Sequence, residues 1–297
     1  MLPAITFGLG AGEALSRPAF RALIPRVVGE ANTQTANSLF ALTSWNSAII
    51  GPGLGGLLVA TAGVRSTLLL DAATFAISML TLLRVAEPPV VARPHPSAFH
   101  EALEGIQAVR ERPWILAVMI MSLVQIVVAV APARVLLPIV AREQLGGDAA
   151  YGIVLSLYAA GGLAAALLTA RWRPREPGLV SMLSLVLLAG VSLALLFPLS
   201  LAWVGAWHAI GAFGVEIYVI LWTTALQREV PEELLGRVMA LDQLGALALL
   251  PLGFALSGPL IEVVPRAPLL LAGSAAVLLS VVGALAVPGV RRFSTPR

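Results

Sequence analysis

An all-α bundle of membrane-spanning helices is the fold that this sequence predicts, on three observations. Of its 297 residues 58% are hydrophobic and only 12% charged, with a mean hydropathy of +0.91. A soluble domain carries about 25% charged residues. Nine apolar segments each approach the ~20 residues that a bilayer requires. They lie at roughly 2–23, 39–60, 66–85, 114–138, 150–171, 178–198, 201–225, 238–261 and 267–288. With no water in the hydrocarbon layer, a spanning segment has to satisfy its own backbone groups, and a helix does so internally.

The first segment, LPAITFGLGAG onwards, has no charged n-region ahead of it and does not read as a signal peptide. It contains Glu13, with Arg17 four residues on. The second contains NSAIIGPGLGG, which places Gly51, Pro52, Gly53, Gly55 and Gly56 within six residues. In a soluble helix each glycine costs up to about 1 kcal/mol and an interior proline about 3. In a membrane, glycines let two helix backbones approach closely. Neighbouring groups can satisfy the carbonyl that a proline frees. Asp71 lies a turn into the third segment, where a hydrogen-bonded structural role suffices.

A hydrophilic stretch, Glu87–Pro113, follows. It opens with EPPVVARPHP and continues as SAFHEALEGIQAVRERP. Ser97 suits an N-cap, and Phe99, Leu103 and Ile106 share one helical face. Both an amphipathic helix at the membrane surface and a solvated linker helix fit that pattern. The fourth segment carries Arg134 near one end, placed either to attract an anion or to snorkel to the interface. The seventh, AIGAFGVEIYVILW, holds Glu216 well inside an apolar run. Ionisable groups inside a membrane are costly and mark function by default. Tyr218 and Trp222, four residues apart, offer an aromatic surface for an apolar or cationic ligand. His208 falls near the outer end of that segment. Beyond it Arg228/Glu232 and Glu233/Arg237 are spaced for pairing within a helix, and Asp242 opens the next segment.

All basic residues are arginines. Threading nine spans puts fifteen of them on one side, against Arg65, Arg134, Arg142 and Arg266 on the other. The positive-inside rule then predicts the N-terminus outside and the C-terminus in the cytoplasm. The high isoelectric point reflects these loop arginines rather than a nucleic-acid partner. With no cysteine, disulfides and thiolate chemistry are excluded. No HExxH and no GxxxxGK[ST] loop appears, so neither a zinc enzyme nor a nucleotide-driven pump is indicated.

A shift of the numbering lays ALIPRVVGE, residues 22–30, on ALQREVPEE, residues 225–233. The same shift pairs Gly8 with Gly211, Glu13 with Glu216 and Gly55 with Gly258. Parallel repeats of this kind characterise a large transporter architecture. The division expected is 1–86 as the last three helices of an N-terminal half and 87–113 as linker. Residues 114–290 form a complete six-helix half, and 291–297 a cytoplasmic tail. On this arithmetic the first half lacks three spans with their loops, roughly 90 residues.

Four stretches, SRPAFRALIPRVV, IIGPGLGG, SAFHEALEGIQAVRERPW and LQREVPEELLGRVMAL, resemble the major facilitator superfamily. The likeness is to its bacterial drug- and siderophore-exporter branch and covers essentially the whole chain. It implies a monomeric secondary transporter of the inner membrane, which exports small molecules by alternating access. The proton gradient is its driving force, and it has no cofactor. It also implies that Gly51, Pro52, Gly55 and Gly56 are the antiporter motif. Glu216 and Glu13, with Arg17, Tyr218, Trp222 and Arg134, become candidates for proton and substrate handling. Arg228, Glu233, Arg237 and Asp242 become candidates for a cytoplasmic gate. TARWRPREPG, residues 169–178, occupies the place of the family's loop signature without its aspartate. The alternative is a truncated, transport-inactive membrane protein, or one that needs a partner chain.

Overall fold

The computed structural model describes Gly12, residues 19–84 and residues 98–294. Those residues form helices joined by short turns, with no strand among them. α1 comprises helical residues 19–28, and a single 3-10 turn, Glu30–Asn32, leads into α2, Thr33–Leu82. The sequence suggests a loop between its second and third spans. The chain instead breaks helical geometry at Gly63 alone, with φ 78° and ψ 162°. A residue with a Cβ reaches that conformation only with strain, so one glycine does the work of a loop.

α3, Ala98–Arg110, is the expected linker helix, and it docks to the bundle by the face away from its apolar stripe. Leu103 and Ile106 are exposed, while Gly105, Ala108 and Val109 are buried. Gly105 lies against Arg237 and Leu241, where a Cβ would come within 3.1 Å of the Leu241 side chain. The helix thus docks through small residues and leaves its apolar stripe outward. The Ser97 cap and the Phe99 side chain lie outside the described residues.

The span that follows is one rod in three parts: α4, Pro113–Gln125, a π-helical segment, Ile126–Val130, and α5, Ala131–Gln144. Pro132 has no N–H to return to the preceding turn, and the Ala131 N–H bonds the Ile126 carbonyl five residues back. The resulting bulge is accommodated by glycines. A Cβ on Gly253 would approach Ala131, and one on Gly273 would approach Ala129 and Val128. α6, Asp148–Arg171, α7, Pro177–Leu196, and α8, Leu201–Glu229, follow, the last capped by the Ser200 hydroxyl accepting from the Trp203 N–H at 3.1 Å. α9, Glu232–Val263, and α10, Arg266–Leu285, complete the bundle.

α8 is the central helix, packed on α6 and α7. A Cβ on Gly161 of α6 would overlap the Ala209 backbone, and one on Gly214 of α8 would overlap the Ser184 carbonyl. These helices therefore touch nearly backbone to backbone. The larger core gathers Trp114, Met182, Leu226, Met239 and Phe293, and a second joins Leu136, Val140, Val154, Val204 and Leu270. Seven helices among the described residues are long and apolar enough to cross a membrane. They answer the third to ninth spans of the sequence reading. The second is helical too, as the first part of α2, while most of the first lies outside the described residues.

Candidate functional site

Two adjoining cavities lie along α8, sharing Ile126, Val130, Leu188 and Val215 as walls. The larger, about 700 Å³, sits toward the arginine-poor end, among Tyr151, Tyr158, His208 and Phe254. Arg134 lines it too and is exposed, which puts this guanidinium at its mouth. His208 is buried, with Nδ1 2.8 Å from the Val204 carbonyl. The smaller, about 350 Å³, lies toward the arginine-rich end, among Arg21, Ser122, Tyr218, Trp222 and Asp242. A wider concavity of about 1020 Å³ lies outside the bundle, among Glu176, Glu229, Arg291 and Arg292. Its mixed charges have no buried carboxyl, and we assign it no role.

Glu216 is 9% exposed and lies beside the Trp45 indole. Trp45 belongs to α2, one sequence half away. Its ring lies on Gly162, where a Cβ would overlap the indole, and Tyr158 meets it edge-on with ring centres 5.7 Å apart. Thirteen residues separate Glu216 from the end of α8 at Glu229. At 1.5 Å per residue this contact lies about 20 Å from the arginine-rich face, near mid-bilayer. Arg21 of α1 lines the inner cavity together with Asp242. Its guanidinium donates to the Thr223 hydroxyl at 3.2 Å, and its carbonyl accepts from the Gln227 amide at 2.6 Å.

Tyr218 and Trp222 are both buried and stack with ring centres 6.3 Å apart. The Tyr218 and Ser122 hydroxyls lie 2.6 Å apart, and the Trp222 N–H donates to Asp242 at 3.1 Å. The pair forms the cavity wall rather than a free aromatic surface. Asp242, placed by its sequence position among the gate charges, thus lines the inner cavity.

The arginine-rich end is closed by neutral polar groups that sequence reading missed. The Asn37 amide donates to the Thr224 hydroxyl at 2.9 Å and the Gln227 carbonyl at 2.6 Å. Gln34 donates to the Thr169 and Trp172 carbonyls at 3.0 and 2.7 Å, and Ser38 reaches the Thr169 hydroxyl at 3.2 Å. All these side chains are buried. The usable signal was the spacing of Gln34, Asn37 and Ser38, which repeats on one helical face.

Charged pairs lie at the same end. Glu232 pairs with Arg26 of α1, and Arg237 with Glu104 of α3, so both reach beyond the helix that the sequence pairing assumed. Arg228 and Glu233 also have partners. Glu13 and Arg17 lie outside the described residues. Gly51 and Gly55 face open space, with no atom within 4 Å of an added Cβ. The side-chain surroundings of Pro52 and Gly56 are outside the described set.

A family model for the Major Facilitator Superfamily matches residues 1–253. The protein called Enterobactin exporter EntS in Salmonella typhimurium is 28% identical over 292 residues, covering 94% of this chain and 68% of that protein. The proteins of that name in Salmonella typhi and Shigella boydii are also 28% identical over 292 residues, with 68% and 67% of their lengths covered. The chain therefore spans about two thirds of these relatives. Apolar helices around a central cavity, a carboxyl at mid-depth and a family match over most of the chain converge on a multi-pass transporter rather than an enzyme: the chain belongs to the Major Facilitator Superfamily.

Proposed function

We propose that this chain exports small molecules across the inner membrane in exchange for protons, with its C-terminus in the cytoplasm. The observation that carries the reading is Glu216, a buried carboxyl that meets the Trp45 indole of the other half; it lines neither cavity itself, but its neighbour Val215 lines both. An ionised carboxylate holds a hydrogen-bond donor about twice as strongly as a neutral acid does. Proton uptake at Glu216 would loosen the tie between α2 and α8 and free the halves to rock. The hydrogen bonds around Asn37 would seal the cytoplasmic end while the cavity faces outward.

The larger cavity suggests the cargo class. Two tyrosines, Phe254 and largely apolar walls, with Arg134 at the mouth, suit an aromatic amphiphile that is neutral or anionic. The names of the relatives point the same way, toward siderophore-like compounds, and drug-like molecules share that chemistry. Glu216→Gln is expected to abolish proton-driven efflux from proteoliposomes while the protein stays folded in the membrane. Normal efflux by that variant would end the coupling role.

One observation favours a second reading, a chain that acts only with a partner. None of the apolar segment Thr61–Leu82 is buried within this structure. The intact mass of the native polypeptide, with the co-purifying chains, separates the two readings.

A further inference from the structure

After α10 the chain folds back as a compact hook, and a buried ring ends it. The Phe293 and Ser294 N–H groups bond the Val290 and Gly289 carbonyls, both at 3.2 Å. Gly289 has φ 94°. Phe293 has φ 51°, the left-handed conformation that a residue with a Cβ adopts only with strain. The hook is tied to α7, where the Leu179 N–H donates to the Arg291 carbonyl at 2.8 Å. Gly178 leaves the space that the Val290 carbonyl fills, since a Cβ there would overlap it. Val290 is fully buried and Phe293 is 2% exposed.

The strained backbone delivers the Phe293 ring to one place. It meets Trp114 at 5.8 Å and Trp222 at 5.6 Å between ring centres, and those two indoles meet at 5.9 Å. Trp222 has a second role, as wall of the inner cavity and donor to Asp242 at 3.1 Å. A tail residue is therefore one ring away from a carboxyl in the cavity.

We propose that Phe293 is a positioning residue for the transport site: it holds the Trp222 indole from behind, so that its N–H stays on Asp242 and its ring closes the floor of the inner cavity. Trp114 is the other wall of this cage. The proposal rests on the transport reading only in taking the cavity as the site. It makes the C-terminal hook part of the machinery rather than a trailing end. Backbone strain that persists near a functional site fits such a role, because the surrounding contacts over-determine it.

These 297 residues include no cysteine, so Gln243→Cys, beside Asp242 on the cavity wall, gives a single reporter within this chain. Its rate of alkylation by a water-soluble maleimide is measured in vesicles, with reagent added on the C-terminal side. Phe293→Ala is expected to raise the rate about tenfold, by letting the floor open locally. Trp222→Phe, which keeps a ring but loses the N–H, should raise it similarly, and the double variant should add little to either. Phe293→Leu, which refills the cage, should restore the slow rate. Gly178→Ala keeps the ring but displaces the hook, and should reproduce the fast rate if Phe293→Ala fails to accumulate. Unchanged labelling in folded Phe293→Ala or Gly178→Ala, or additive effects in the double variant, would overturn the proposal. Proton-driven uptake of a fluorescent aromatic dye is followed in the same vesicles. Fast labelling in the variants, with no uptake by the parent, would count against the transport reading and leave the positioning role standing.

Discussion

Glu216 is the residue on which the functional reading turns, and its surroundings show how one carboxyl serves two halves of a chain. A lone acid in AIGAFGVEIYVILW is visible in the sequence, because an uncompensated charge in an apolar run is costly. Its partner was not visible. Trp45 reads as an ordinary apolar residue of another span, and only the packing of α2 on α6 and α8 brings it to the acid. Two adjacent glycines make this testable. A Cβ on Gly162 meets the Trp45 side chain, which can swing aside, whereas one on Gly161 meets the Ala209 backbone, which cannot. Gly162→Ala is expected to cost about 1 kcal/mol of stability but to impair efflux strongly, by moving the indole off Glu216. Gly161→Ala should cost about 2–3 kcal/mol and lower the thermal midpoint in detergent further. Equal midpoints with equal efflux would show that Trp45 needs no such seat.

At the scale of elements, helices meet at the arginine-rich end through amides and hydroxyls. Asn37 makes two buried hydrogen bonds across α2 and α8, each worth about 0.5–1.5 kcal/mol net. Removing both would move a two-state equilibrium by roughly five- to 150-fold. Asn37→Ala should therefore raise maleimide labelling of Ala41→Cys, a buried position one turn deeper, from the arginine-rich side. Slow labelling unchanged by the substitution would mean that the ion pairs Arg26–Glu232 and Arg237–Glu104 close this end by themselves. α3 shows why part of this was unreadable. Periodicity marked Leu103 and Ile106 as its apolar face, yet the helix docks through Gly105, Ala108 and Val109. Small residues pack by letting a neighbour approach, and hydrophobic patterning does not register that. The π segment at Ile126–Val130 is similar. The sequence reading passed over Pro132, and the accommodation of the bulge by Gly253 and Gly273 depends on two distant helices.

On the scale of the whole molecule, both large clusters draw on residues from 108 to 293, with α8 at their centre. Thr61–Leu82 contributes no buried residue to them. A chain of residues 98–297 is therefore expected to insert and to unfold cooperatively in detergent, and to lose efflux with Trp45 and Asn37 gone. Degradation of that fragment, or a broad non-cooperative melt, would show that the first helices are needed for folding. The sequence alone determined the class of this protein. Twenty-residue apolar runs, sparse charge and arginines concentrated between alternate spans follow from the physics of a bilayer, which acts on each segment separately. It also exposed Glu216, since a buried charge stands out against an apolar background. Only the tertiary structure decided which groups answer each other. Trp45 on Glu216, Asn37 on Gln227 and Phe293 on Trp222 are contacts between distant segments. No local pattern encodes them, because they depend on how closely the glycine-bearing faces of the helices can approach.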